Sequence, residues 1–191
     1  RLVKDFMGIE IDLTISVIPG LKHSSEICAM ATAAGKDVIC HMPMEPENGS
    51  GDYGDISIVE VSMDEGAIED MVEKALEATP CAVGMNNHMG SKATADRRVM
   101  RAVLKVCRRK GVFFLDSLTS PSSVAAETAA EMGMPRLVND IFLDNRGADI
   151  RANMSKLMEI ASRRGRALGI MHVKRESFES LMWMKEEAKK R

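Results

Sequence analysis

Apolar and polar positions alternate along this chain in two periods, and the switches between them lay out its elements. DLTISVI (Asp12–Ile18) is rich in β-branched residues and predicts a strand closed by Pro19-Gly20. SSEICAMATAAG follows as a helix, with Ser24 or Ser25 as N-cap and Gly35 as its stop. DVICHM (Asp37–Met42) predicts a short strand ended by Pro43, since proline lacks a ladder donor. ENGSGDYGD (Glu47–Asp55) has the composition of a flexible loop. ISIVEVSM (Ile56–Met63) alternates like a half-exposed strand. It leads into a helix from about Met63 to Ala78, with Ser62 and Glu65 in a capping-box pattern.

The second half continues the rhythm. CAVGM (Cys81–Met85) predicts a strand, and a helix from about Ala95 to Lys110 stops at Gly111. VFFLD (Val112–Asp116) is a strand, and SPSSVAAETAAEMG a helix entered through Pro121. RLVNDIFL (Arg136–Leu143) reads as one extended segment, IRANMSKLMEIASRRG as a helix closed by Gly165, and RALGIMH (Arg166–His172) as strand-like. A last helix spans SFESLMWMKEEAKKR. Strands alternating with helices over short connections predict an α/β fold with a parallel sheet, open or barrel-shaped. At 191 residues, with no repeat or low-complexity tract, a single domain over 1–191 is expected.

Composition narrows the picture. The net charge of −2, with 26 basic and 28 acidic residues interspersed, argues against nucleic-acid or membrane-surface electrostatics. No apolar run approaches a membrane span. The 16 methionines suit irregular gaps in a core. Cys28, Cys40, Cys81 and Cys107 form no C-x-x-C pair, so they read as buried free thiols and leave the redox compartment open.

On this skeleton the polar residues gather at one kind of position. His41 closes one predicted strand, Asn86, Asn87 and His88 follow another, Asp116 ends a third and His172 a fourth. Asp140 and Asp144 lie in or just after RLVNDIFL. The carboxyl ends of parallel strands are the functional face of α/β proteins. Histidine and carboxylate ligands converging there suit a catalytic zinc or another divalent first-row ion. Bland readings stand beside this one. Each histidine could be a hydrogen-bonded structural residue, Asp116 could cap the turn before Ser117 and Thr119, and the two asparagines could satisfy loop backbone, with Gly90 at positive φ. His41 and Glu45 cannot share a helical face across Pro43 and Pro46. Gly90-Ser91-Lys92 fails the phosphate-loop pattern, where lysine directly follows glycine. The Arg/Lys pairs read as solvated helix faces, and His23 carries no chemical role.

HMPMEP (His41–Pro46), VGMNNHMGSKATAD (Val83–Asp96), FFLDS (Phe113–Ser117) and DIFLDN (Asp140–Asn145) resemble the successive motifs of the divergent polysaccharide deacetylase family. The resemblance runs from about Leu13 to the last helix. It implies a distorted, incomplete (β/α) barrel and relatedness to metal-dependent carbohydrate esterases that remove acetyl groups from glycans. It makes His41 and His88 metal ligands, with zinc the expected ion. Asp116 falls in the motif that orients catalytic groups, and His172 in the position of the general acid. Asn86, Asn87, Glu45 and Asp144 would contact substrate or the metal's outer shell.

Two departures accompany it. The family opens with a strand ending in an Asp-Asp pair, which supplies the third ligand and the base. Asp5 lies instead in RLVKDFMGIE, which reads as the following helix, so the first strand is expected to be absent and metal binding by this chain alone weak. The late motif, usually Gly-His-Pro, is Met171-His172-Val173 here. The implied activity is attack of metal-bound water on an acetyl carbonyl of a glycan, in the cell envelope, periplasm or extracellular space. A catalytically inactive glycan-binding or envelope-regulatory domain is the alternative, and a different hydrolase on the same scaffold a third reading.

Overall fold

Five of the apolar segments pair side by side, all parallel, in their order along the chain. A computed structural model describes residues 2–49 and 56–190, so most of the Glu47–Asp55 loop lies outside the described residues. The strands are β1 (Thr14–Val17), β2 (Asp37–Met44), β3 (Ala82–Met89), β4 (Phe113–Asp116) and β5 (Leu137–Val138), in the order β1-β2-β3-β4-β5. The helices between them are α2 (Ser24–Ala33), α3 (Glu65–Ala78), α4 (Arg97–Lys110) and α5 (Ala125–Glu131). Sequential order without a reversal is the winding of a (β/α) barrel rather than of a doubly wound sheet. These elements form one compact unit, Leu13–Val138.

The second unit comprises Arg1–Asp12 and Asn139–Arg191. It holds α1 (Leu2–Met7), a two-stranded parallel sheet of β6 (Ile141–Phe142) and β7 (Gly169–Ile170), α6 (Ile150–Arg164) and α7 (Arg175–Ala188). Phe6 of α1 meets Phe178 of α7 edge to face, with ring centroids 5.4 Å apart. The fold class is α/β, of the distorted and incomplete (β/α)-barrel kind.

In the larger unit the core lies between one sheet face and α3, α4 and α5. Cys40, Met42 and Met44 of β2, Met85 of β3 and Phe114 of β4 meet Ile68, Val72, Val99, Val103 and Leu104 there. Alternation along each strand leaves His41, Asn86 and His88 on the opposite face. Which residues share that face depends on one irregularity. Val38 pairs with Ala82 but Ile39 pairs with Gly84, so Val83 is an extra residue in β3, and its side chain is exposed. The bulge brings Asn86 opposite His41 and His88 opposite Pro43. Gly84, next to the bulge, has the Phe113 ring packed where a Cβ would stand.

Several boundaries differ from those the sequence predicts. β2 runs through Pro43 to Met44, and β3 extends to Met89, so Asn86, Asn87 and His88 lie in the strand rather than after it. Ile56–Met63 makes only an isolated bridge, Val59 to Met44. Asp64, not Ser62, caps α3, accepting from Ala67 N at 2.8 Å, while the Ser62 hydroxyl turns to Glu60. Asp96 caps α4 through Arg98 N and Val99 N, so the helix begins at Arg97 after a 3₁₀ turn. Neither Ser24 nor Ser25 is an N-cap: α2 starts at Ser24, whose hydroxyl donates to Ile18 O. RLVNDIFL breaks at Asn139-Asp140 into β5 and β6, which belong to different sheets. The predicted Arg166–His172 strand reduces to Gly169–Ile170.

Two measurements test this packing. Gly84→Ala is expected to lose roughly 1–3 kcal/mol in a urea melt, because the new methyl must displace an aromatic ring in a packed layer. Among the thiols, burial raises Cys28 and Cys107 to about 12 and Cys40 to about 11, while Cys81 is half-buried. Native-state iodoacetamide labelling read by intact mass is therefore expected to reach Cys81 first, the others reacting only after denaturation.

Candidate metal centre

Ring nitrogens of two histidines meet on the face of the larger sheet opposite its methionine-rich core. His41 Nε2 lies 3.1 Å from His88 Nδ1, and the rings are edge to face with centroids 4.8 Å apart. His41 projects from β2 and His88 from β3, where the bulged register pairs His41 with Asn86 and Pro43 with His88. Behind His41, its Nδ1 is 2.9 Å from Asn86 Oδ1, which also accepts from Ser16 Oγ of β1 at 2.6 Å. Asn86 Nδ2 donates to Ser117 Oγ at 3.1 Å, and Ser117 Oγ donates to the Asn87 carbonyl at 2.8 Å. Groups from β1, β3 and the turn after β4 thus fix one imidazole on β2.

The pair suits a divalent ion. Two nitrogens sharing a tetrahedral zinc at the usual bond length of about 2.0–2.1 Å stand roughly 3.3–3.4 Å apart, near the separation found here. His41 has its outer nitrogen held by an amide, the arrangement that orients ligating histidines. Among the described residues no group of three His, Cys, Asp or Glu side chains gathers as a ligand set. The residues present therefore fit two of the ligands.

The other candidates are placed differently. Asn87, although adjacent to Asn86, points to the other side of the sheet, as strand alternation requires. Its Oδ1 accepts from Ser117 N at 2.9 Å, and its Nδ2 donates to Met89 O at 2.7 Å and Thr119 Oγ1 at 3.3 Å. Asp116 is buried, and both carboxylate oxygens are engaged, by Leu118 N at 2.8 Å and Ser123 Oγ at 2.7 Å. It braces the turn after β4, where Leu118 takes a positive φ of 54°. Glu45 pairs with Lys92 and accepts from Val61 N at 2.7 Å. Partial burial pushes its carboxyl up, but those two bonds outweigh this and hold it below the usual range.

His172 and Asp144 form a dyad within the smaller unit. Asp144 is buried and accepts from His172 Nδ1 and N, each at 2.9 Å, and from Ser177 Oγ at 2.8 Å, with Lys174 Nζ 3.6 Å away. Burial pushes the carboxyl up, and the bonds from His172 and Ser177 more than reverse it. Asp144 is thus a support for His172, with no oxygen turned to solvent. Asp140 pairs with Arg164 and accepts from Leu168 N, and His23 pairs with Glu26 at the surface. The basic helix positions are solvated pairs: Arg97 and Arg101 with Glu131, Arg109 with Glu69 and Glu73.

Sequence reasoning missed Ser16, Ser123 and Ser177. Each is a small polar residue in a position that alternation or helix-surface patterning already accounts for, and only the tertiary pairing reveals its bond.

Asp144 gives a pH prediction. Its folded pKa lies below the unfolded value, so its stabilisation is fully present above the ordinary carboxylate pKa of 3.8 and is lost as pH falls through the lower folded value. Asp144→Asn is expected to be less stable at neutral pH, and the gap to wild type should narrow in urea melts on going from about pH 4 downwards. A gap that is unchanged with pH would refute this.

Comparison with known proteins agrees with the motifs. The family model described as divergent polysaccharide deacetylase matches residues 1–191. An uncharacterised protein of Haemophilus influenzae is 34% identical over 165 residues, covering 84% of this chain and 58% of its own. The uncharacterised protein YibQ of Escherichia coli is 33% identical over 162 residues, covering 84% and 50%. This chain thus spans little more than half the length of these relatives. The crystal structure of an uncharacterised Agrobacterium tumefaciens protein superposes with a TM-score of 0.89 at 19% identity, over 98% of this chain and 77% of that one, and shows the same fold. Sequence motifs, whole-chain match and relatives agree: the chain belongs to the divergent polysaccharide deacetylase family.

Proposed function

We propose that this chain carries the metal-binding face of a hydrolase that removes acetyl groups from a polysaccharide or related glycan. The observation that carries the reading is the 3.1 Å approach of His41 Nε2 and His88 Nδ1 in the carboxyl-terminal halves of adjacent parallel strands. Family membership supports the substrate class. His41 and His88 would hold a divalent ion, with zinc first among candidates for two imidazole ligands, and an aspartate as the third. Such an ion supplies Lewis acidity, making water nucleophilic near neutral pH and polarising an acyl carbonyl.

The chain's own residues have separate tasks in this reading. Asn86, 2% exposed with both polar atoms engaged, holds His41 and does not contact substrate. Asp116 and Asn87 fix the β4 turn. The acid step falls to His172, whose Nδ1 is bound by Asp144 so that Nε2 is the edge that exchanges a proton.

The test is metal content by mass spectrometry, with acetate release from acetylated oligosaccharides, on the full-length protein and its His41→Ala and His88→Ala variants. Near-stoichiometric metal, lost in both variants together with acetate release, is expected. His172→Gln should keep the metal and lose at least about 100-fold in acetate release. No metal in wild type sinks the hydrolase reading; oligosaccharide binding that persists without metal or acetate release would make this a glycan-binding domain.

A further inference from the structure

We infer that Ser117 and Asn86 set the tautomer of His41, holding its proton on Nδ1 and aiming the Nε2 lone pair at His88. The Asn87 carbonyl can only accept, so the Ser117 hydroxyl, 2.8 Å away, spends its one proton there. Ser117 Oγ must then accept from the Asn86 side chain at 3.1 Å, which requires the amide nitrogen at that position. The amide oxygen is consequently the atom that faces Ser16 Oγ at 2.6 Å and His41 Nδ1 at 2.9 Å. An amide oxygen accepts only, so His41 Nδ1 carries the proton. In the neutral ring Nε2 is then the unprotonated nitrogen, and it is the atom 3.1 Å from His88 Nδ1.

The direction of control matters. An isolated histidine side chain favours the opposite tautomer, with the proton on Nε2, a form that cannot ligate through that atom. Here two buried groups, Asn86 of β3 and Ser117 of the turn after β4, overrule that preference before any ion arrives. Asn86 is fully inside and cannot be exchanged for water, so the bias is permanent. Asn86 and Ser117 are positioning residues in the sense that each acts through His41. Ser16 is a passenger: it donates to an oxygen whose orientation Ser117 has already fixed. This role rests on the reading of His41 and His88 as a metal pair, but the tautomer itself does not.

The experiment is a long-range ¹H–¹⁵N correlation spectrum of the histidine rings in the metal-free full-length protein, recorded where the imidazoles are neutral. Zn²⁺ affinity by chelator competition is measured on the same samples. Wild type is expected to show a protonated Nδ1 and an unprotonated Nε2 on His41. Asn86→Leu and Ser117→Ala should shift His41 towards the Nε2–H form and weaken Zn²⁺ binding about 10–100-fold. Asn86→Asp, which still accepts at that position, should retain the wild-type ring pattern, and so should Ser16→Ala; this rescue separates tautomer control from loss of fold. An Nε2–H ring in wild type overturns the inference, as does a wild-type ring pattern in both Asn86→Leu and Ser117→Ala. Should wild type show the Nδ1–H ring and take up no Zn²⁺, the tautomer assignment stands and the hydrolase reading fails.

Discussion

One extra residue in β3 decides what the site is made of. In a parallel pair, residues in register point to the same side, and a slip of one residue turns every later side chain over. Ahead of the bulge Val38 pairs with Ala82; without Val83 as the unpaired residue, His41 would stand beside Met85 and not Asn86. Asn86 and His88 would then turn into the helix-covered layer, where Met85 now meets Cys107 of α4 at 3.8 Å. Burying an amide and an imidazole there without partners would cost several kcal/mol on the ordinary scale for polar groups. The bulge therefore separates two incompatible chemistries, a methionine-rich core on one side of the sheet and a hydrogen-bonded histidine on the other.

The same alternation explains why neighbouring asparagines do different work. Asn86 reaches across the sheet to β1, β2 and the turn after β4, while Asn87 turns the other way and ties that turn to the end of β3. Two bulky residues sit there in the left-handed region, Met89 at φ 56° and Leu118 at φ 54°. That conformation costs roughly 1–2 kcal/mol per residue for a side chain with a Cβ. It persists because Asn87 and Thr119 bind the Met89 carbonyl and Asp116 binds the Leu118 N–H. Ser117, the residue that orients Asn86, lies between these clamps, so a strained turn serves to place one hydroxyl.

How much of this the sequence discloses follows from range. Strand and helix order, the closing glycines and the placement of Asp116 at the end of β4 rest on local periodicity, and they are legible. The extension of β2 through Pro43 is not, because it depends on Val59 bonding the Pro43 carbonyl and offering its own to Glu45 N. The bulge at Val83 is invisible in CAVGM, where nothing but the pairing with β2 and the Phe113 ring above Gly84 requires it. Ser16 reads as a solvent-side strand residue until Asn86, 70 positions away, is brought beside it. Asn86 and Glu45 read as substrate contacts because polar residues beside a motif suggest a ligand; the structure gives their polar atoms to the protein itself.

The two histidine environments differ in the group behind the ring, and that difference is chemical. His41 is backed by an amide, which fixes a tautomer through a dipole and adds no charge. His172 is backed by a buried carboxylate, itself held by the His172 backbone N–H and by Ser177. Either acceptor keeps a proton on the nitrogen it faces and turns the far nitrogen outward, and both kinds of acceptor are found behind metal-ligating imidazoles. The proposed division of labour, metal binding at His41 and acid chemistry at His172, therefore rests on the motifs and on the approach of His41 to His88, and not on the group behind either ring.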